Sequence, residues 1–339
     1  MAITMKDIAR DLGVSVVTVS KVLRNHSDIS AETRKRVRQR MKELNYQPNP
    51  AARALLTGKT NLIGLIVPDL VHSFFSQVAK GISAVLRTRE YGLIISSSED
   101  DPQLEKREID QMLARRVDAL VLASTQPDVE SLRRIEDQGV PCILLDRRIA
   151  GHDANFVGID DVAAGIQATT HLIDVGCKTI AHIAGPKVST ALDRQAGYTK
   201  TLMKHGLALP PAYIVARGLM DDSGNATGYA GMKYLLECNP RPDGVFCCND
   251  PIAIGAMRAI LESGLRIPHD VAVVGVGNLH YDDVLLVPLT SIDQNSDGLG
   301  ESAAKLALSI VKKKAKSVPT TILLGSKLVV RASSRRTTA

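Results

Sequence analysis

Apolar residues at the start of the chain recur at helical spacing. Ile8, Ala9 and Leu12 share one face, then Val19, Val22 and Leu23, then Val37, Met41 and Leu44. Thr4-Met5-Lys6-Asp7 places a hydroxyl at a helix start with a carboxylate three residues on, the capping-box pattern. Gly13 ends the first predicted helix, because glycine enters a tight turn without steric cost. Ser15 caps a second helix, and Ser30 caps a third running from about Ala31 to Leu44. Two short helices joined by a glycine turn and buttressed by a third predict a helix-turn-helix over residues 1–45.

From residue 61 the period changes. NLIGLIV (61–67), LIISS (93–97), DALVLA (118–123) and PCILLD (141–146) are short apolar runs separated by helical stretches near 74–90, 102–115 and 128–138. The rhythm continues with KTIAHIAG (178–185), YIVA (213–216), DGVFCC (243–248) and VAVVGV (271–276). Continuous apolar strands alternating with helices predict parallel sheets covered on both faces. A body of about 270 residues is too large for one such sheet, so two α/β lobes are expected.

Charge separates the two parts. Residues 1–60 hold 12 Lys/Arg against 5 Asp/Glu, and the whole-chain totals of 42 and 36 leave 30 against 31 for the rest. A basic module on a nearly neutral body implies a polyanionic partner. In a helix-turn-helix the second helix lies in the major groove with its N-terminal residues nearest the base edges. Here those are Val16 and Val17, followed one turn later by Lys21. Valines suit thymine methyl groups, and Lys21 can donate to guanine O6 or N7. The alternative is that either valine belongs to the head's own core. Ser15, Thr18 and Ser20 suit phosphate oxygens, and Thr4 and Asn25 complete the candidate DNA-contacting set. Arg34, Lys35, Arg36, Arg38, Arg40 and Lys42 cannot share one helix face. Most are expected to be solvated surface, with one or two touching phosphate.

The runs GVSVVTVSKVL (13–23), Ser30 to Arg36, ELNYQPN (43–49) and AARAL (51–55) resemble the LacI/GalR family of bacterial transcription regulators, and the similarity covers essentially the whole chain. By itself, 46–60 (YQPNPAARALLTGKT) is linker-like, with a helix-prone centre too short to hold in water. The resemblance implies a hinge helix there that pairs across a dimer axis and enters the minor groove, with Leu55 as the wedge and Arg53 a nearby contact. The alternative is a plain tether with Leu55 and Leu56 packed on the body. For the body, the resemblance implies the periplasmic-binding-protein (type I) architecture, crossing between lobes three times. With crossings placed near 159, 290 and 320, the N-lobe is 61–159 plus 291–319, the C-lobe 160–290 plus 320–332, and 333–339 a tail.

Ligands of such folds sit in the cleft beyond the carboxyl ends of the strands. Polar residues at those ends are Asp69 with His72, Ser73, Phe74 and Phe75 after it, Asp146 and Arg147, Asp160, Arg194, and Asn249-Asp250. The mix suits a polyhydroxylated small molecule. The resemblance maps Arg194 and Asn249 onto effector-contacting positions and puts His72 and Phe74 near the pocket. It also implies an aspartate where this chain has Gly277, within Gly275-Val276-Gly277-Asn278. That departure weighs against a simple sugar or moves recognition to Asn278 and His280. Helix capping or a lobe–lobe ion pair is the alternative for each pocket residue.

Other classes find little support. Five cysteines show no CxxC spacing and read as core residues in a reducing cytosol. The eight histidines form no HxxxH pair, and neither a dinucleotide fingerprint, a Walker loop nor a nucleophile elbow occurs. No cofactor or metal is expected, and no enzyme. A secreted solute-binding protein would need a signal segment and no basic head, whereas the chain starts on a polar capped helix. It also has no run of about 18 apolar residues, so no membrane span is expected. The expectation is a cytoplasmic homodimeric regulator, a repressor in the usual case, that binds a near-palindromic double-stranded operator under control of a small molecule. Helices near 74–90 and 250–263 are the candidate dimer face, and no leucine heptads at the end suggest a tetramerising coiled coil. Whether the effector releases DNA or tightens it stays open.

Overall fold

The computed structural model describes residues 3–23, 25–46, 54, 58–216, 224–313 and 318–336. The chain divides into two compact units, residues 1–60 and 61–339.

In the first unit, α1 (Met5–Leu12) starts on a complete capping box. The Thr4 hydroxyl oxygen accepts from Asp7 N, and Asp7 Oδ2 accepts from Thr4 N at 3.0 Å. Gly13, at φ +64°, closes the helix. Thr18 N donates to Ser15 Oγ at 3.0 Å to open α2 (Val16–Leu23), and Thr33 N donates to Ser30 Oγ at 3.2 Å to open α3 (Ala31–Glu43). Ile8, Ala9, Val19, Val22 and Val37 form the core, with Leu12, Met41, Leu44 and Tyr46 packed around it. Each fully buried aliphatic contributes about 1.5–3 kcal/mol. A core this small gains from cross-links, and the basic third helix supplies them. Arg40 pairs with Asp11 at 2.7 Å, Arg36 donates to the Leu12 carbonyl at 3.2 Å, and Arg34 to that of His26 at 2.6 Å. As expected of a solvated face, Lys35, Arg36, Arg38 and Lys42 are exposed and Arg34 and Arg40 half-buried; even so, Arg34 and Arg36 reach the carbonyls of His26 and Leu12, Arg38 the Asn25 side chain and Arg40 the Asp11 carboxylate.

The second unit holds two six-stranded sheets. The first uses β1 (Leu62–Val67), β2 (Gly92–Ser97), β3 (Ala119–Leu122), β4 (Cys142–Leu145), β5 (Asn155–Ile159) and β11 (Thr321–Leu324), in the order β11-β5-β4-β3-β1-β2. All its pairings are parallel. The second uses β6 (Ile180–Ile183), β7 (Ile214–Val215), β8 (Gly244–Cys247), β9 (Ala272–Gly277), β10 (Thr290–Asp293) and β12 (Lys327–Val329), in the order β12-β10-β9-β8-β6-β7. Here only the β10–β12 pair is antiparallel. Helices α4 (Ser73–Arg87), α5 (Pro102–Ala114), α6 (Glu130–Asp137) and α11 (Ser296–Lys313) belong to the first lobe. Helices α7 (Asp161–Asp174), α8 (Ser189–Lys204), α9 (Asn225–Leu236) and α10 (Asp250–Glu262) belong to the second. Strands β3, β4, β6, β8 and β9 are buried along their whole length, as central parallel strands must be.

The three crossings fall after β5, after β10 and after β11, so the second and third lie a few residues beyond the expected 290 and 320. Residues 290–293 pair with β9 and belong to the C-lobe, while 321–324 pair with β5 and belong to the N-lobe. Strand β10 carries a single apolar residue, Ile292, which hid it in the sequence. Part of the expected tail is also core. Ser333 and Ser334 are fully buried, and Val273 N donates to the Ser333 carbonyl at 2.8 Å.

Candidate DNA-reading head and effector cleft

On α2 the two valines stand in solvent, Val16 at 38% and Val17 at 60% exposure, while Val19 and Val22 fill the core. The core alternative for Val16 and Val17 is thereby removed. Lys21 Nζ lies 2.5 Å from Asp28 Oδ2, so this cation is held on the loop after α2. The Ser15 and Thr18 hydroxyls share a hydrogen bond at 2.9 Å within the helix cap, and Ser20 is half-buried. Asn25 adopts φ +56° and its Oδ1 accepts from Arg38 at 2.5 Å. Thr4, in its capping box, has its hydroxyl on Asp7 Oδ2 at 2.7 Å. Arg53 and Leu55 lie outside the described residues. Ala54 is helical, and its carbonyl accepts from Gly58 N at 2.8 Å, an i to i+4 bond.

In the body, a cavity of about 310 Å³ opens between the lobes. The start of α4 brings His72, Phe74 and Phe75, the end of β4 brings Asp146 and Arg147, and the C-lobe brings Arg194 of α8 and Asn249. His72 is the N-cap of α4. Its Nδ1 accepts from Phe74 N at 3.3 Å, which leaves the ring hydrogen on Nε2. Burial, and then the charges of Arg147 and Arg194, push its pKa down to about 4, so the ring is neutral. Phe74 and Phe75 meet edge to face at 5.0 Å and supply an apolar floor.

Arg194 is the best-anchored group of the cleft. It is 5% exposed, its Nε donates to Asp161 Oδ1 at 2.8 Å, and its Nη1 donates to the Cys248 carbonyl at 2.9 Å. Close helix packing sets this geometry. A Cβ at Gly165 of α7 would collide with the Arg194 carbonyl oxygen, so only glycine lets α7 approach α8 here. Asp161 stands one turn before Gly165 and meets Arg194 across that contact. Burial pushes the Asp161 carboxyl up despite the arginine beside it. Arg147 donates to Asp100 Oδ1 at 2.6 Å, and burial also raises Asp146, against the pull of Arg194 and Arg147.

Asp160 is exposed, outside the cavity lining, and its Oδ1 accepts from Ala163 N at 2.9 Å. It caps α7, and the neighbouring Asp161 is the buried one, so the expected ligand role of Asp160 is corrected to capping. Asn278 is likewise outside the lining. Its Oδ1 accepts from Arg331 at 2.6 Å and its N–H donates to Ser291 at 2.9 Å. His280 does not line the cleft either. Asn249 combines both readings: it lines the cavity while its Oδ1 accepts from Ile252 N at 2.9 Å as the cap of α10. Sequence reasoning missed Asp100, Asp161, Lys187, Thr190, Thr227 and Gln294. Gln294 sits at the crossing after β10, and an Asp-Asp pair at 160–161 gives no sign of which member caps and which turns inward.

A helix-turn-helix unit beside a two-lobe body with a polar interlobe cleft defines a regulator of the ligand-binding class. Residues 4–49 match the family described as bacterial regulatory proteins, lacI family, and residues 60–330 match the periplasmic binding proteins and sugar binding domain of LacI family. The chain belongs to the LacI family of DNA-binding transcriptional regulators, whose relatives are repressors rather than enzymes. It is 33% identical over 317 residues to the HTH-type transcriptional repressor PurR of Histophilus somni (strain 129Pt), covering 92% of this chain and 93% of that protein. It is 34% identical over 304 residues to the ribose operon repressor of Escherichia coli (strain K12), covering 88% and 90%. The structure resembles a lac repressor dimer bound to operator and the anti-inducer ONPF, with TM-score 0.86, 29% identity and coverage of 98% and 99%. It also resembles a transcriptional regulator CelR–cellobiose complex, with TM-score 0.73, 27% identity and coverage of 98% and 99%.

Proposed function

We propose that the protein is a dimeric transcriptional repressor that binds a near-palindromic operator and responds to a small polyhydroxylated molecule held between its lobes. The observation that carries this is the cleft itself, because both lobes contribute its walls and a ligand bridging them biases lobe closure. Val16, Val17 and Lys21 read the major groove, the Ser15, Thr18 and Ser20 region positions α2 on phosphate, and Arg53 and Leu55 read the minor groove. Arg194, Asn249, Asp146, Arg147, His72 and Phe74 hold the ligand. A lac repressor relative is described as a dimer on operator, and another regulator as a complex with cellobiose. As a DNA-binding regulator the protein acts in the cytoplasm.

The dimer reading has support in the body's surface. Val71, Val284 and Leu286 are 81%, 77% and 90% exposed. Tyr281, in the loop carrying Val284 and Leu286, is hydrogen-bonded to Ser73 of α4, next to Val71. An apolar surface drawn from both lobes calls for a covering partner, and a second copy supplies one. Because lobe closure then alters the spacing of the two heads, operator and ligand affinities are linked reciprocally. Selection of random duplexes by the full chain should recover a two-fold symmetric motif, lost on deleting residues 1–60. An asymmetric motif, or full specificity in the truncated protein, contradicts the proposal.

A further inference from the structure

The two walls of the cleft differ in sign. Among the described residues, the N-lobe wall presents the carboxylates Asp69, Asp100 and Asp146 with the single cation Arg147, whereas the C-lobe wall presents Arg194 and Lys187 and no carboxylate. Asp161, the counter-ion of Arg194, lies behind the wall and outside the lining. Nor can the end of β9 supply a carboxylate. Gly277 has φ +145°, and a Cβ there would stand 2.6 Å from Asp250 Oδ2, a carboxylate buried on Ser291 and Leu279.

Two further features of the cavity donate rather than accept. Helix α8 begins beside Lys187 without a side-chain cap, and Thr190 of its first turn lines the cavity. First-turn N–H groups carry the positive end of the helix dipole. Gln294, 4% exposed and lining the same cavity, has its Nε2 buried short of a full hydrogen bond, with the Asp146 carboxyl as the acceptor it faces. A ligand oxygen entering there would complete the bonding of this amide donor.

We infer that the effector is an anionic polyol, bearing a carboxylate or a phosphate, whose anionic group seats on the C-lobe wall at Arg194, Lys187 and the start of α8 while its hydroxyls face the N-lobe carboxylates. This rests on the cleft being the effector site. Charge-assisted bonds to Arg and Lys favour the anion over a neutral hydroxyl at the same place, and the carboxylates opposite fix which end of the molecule points where.

The test is a thermal titration of the full chain with inorganic phosphate replacing chloride at constant ionic strength, on the natural protein and on Lys187→Glu. Lys187 is exposed at the rim, so its reversal leaves the core untouched. The natural protein should show a saturable rise in melting temperature, and Lys187→Glu should bind phosphate about tenfold to a hundredfold more weakly, the worth of a hydrogen bond to a charged group. No saturable rise, or an identical rise in both proteins, overturns the inference. Displacement of the phosphate by glucuronate or by glucose 6-phosphate, with glucose inert, tells a carboxylate from a phosphate ligand. If glucose binds at least as tightly as either anion, the anionic reading fails. The cleft reading survives that result if Arg194→Ala also abolishes glucose binding, and it fails with the rest if the variant binds glucose as the natural protein does.

Discussion

The head and the body use charge in opposite ways. The head is basic on its surface, yet Arg34, Arg36, Arg38 and Arg40 are tied to carbonyls and side chains of the head itself. The side chains left facing outward at the start of its reading helix are apolar, Val16 and Val17. The body is close to neutral, yet it buries Arg194, Asp161, Asp146 and Arg147 around one cleft. A count of charges therefore points to the DNA-binding unit without naming its readers, and it passes over the ligand site altogether. In the head, charge holds a small fold together and suits a polyanion; in the body, the proposed recognition rests on a few buried charges.

The largest expected effect is in the body. Arg194→Ala leaves Asp161 buried without its partner and should cost about 3–5 kcal/mol of stability along with the ligand response. Arg194→Met combined with Asp161→Asn should recover much of that loss in denaturant melts without restoring the response. If the single variant melts like the natural protein, the buried pair does not have the role given to it. Next comes Gly165→Ala, which presses α7 off the α8 backbone and should cost about 1–3 kcal/mol. An unchanged melt together with normal ligand response would show that the close helix contact is dispensable.

In the head the effects shift from stability to specificity. Lys21→Ala should lose about 1–3 kcal/mol at one base pair per half-site, read as relaxed preference there. Asp28→Asn should tighten operator binding, because it releases Lys21 from the pair it makes in the free protein. Uniform weakening on all sequences in Lys21→Ala would make that lysine a phosphate contact instead.

The smallest effect concerns acid stability. His182 is stacked between Tyr198 and Phe246, with ring centroids at 5.3 and 4.8 Å, and burial above all pushes its pKa down to about 4. The unfolded chain takes up a proton near 6.5 while the folded protein does not, so stability present above 6.5 is lost as the pH falls toward 4. His182→Phe keeps the stack, removes the unpartnered Nε2, and should flatten that slope. An unaltered pH profile would assign the acid sensitivity to other groups, His72 first among them.

The same contrast explains what was legible in the sequence. Capping residues and apolar periodicity mark the head's helices because each signal is local: Thr4 with Asp7, Ser15 with Thr18, Gly13 at its turn. The central strands were equally plain, being apolar throughout. Arg194 and Asn249 came from the family resemblance and both line the cleft. Asp160 was misplaced because capping and ligand contact demand the same residue types, and Asn278 because its amide is taken up by Arg331, far along the chain; only the fold shows either. Lys187 and Gln294 line the cleft, and Asp161 backs Arg194 from outside the lining, through packing between segments far apart in the chain, which no local pattern records. The second and third crossings were set a few residues early because β10 has one apolar residue, Ile292, and β11 is a partly exposed edge strand.

On the proposed reading, a few side chains of α2, foremost the exposed Val16 and Val17, choose the DNA sequence, and the basic surface as a whole does not. Its most direct test is selection of random duplexes by the full chain and by a Val16→Ser/Val17→Ser variant, each with its melting temperature measured. The natural protein should recover a near-palindrome, and the variant, with an unchanged melt and undiminished electrostatic attraction for DNA, should recover an altered or flattened motif. Recovery of the same motif by both proteins would contradict the claim.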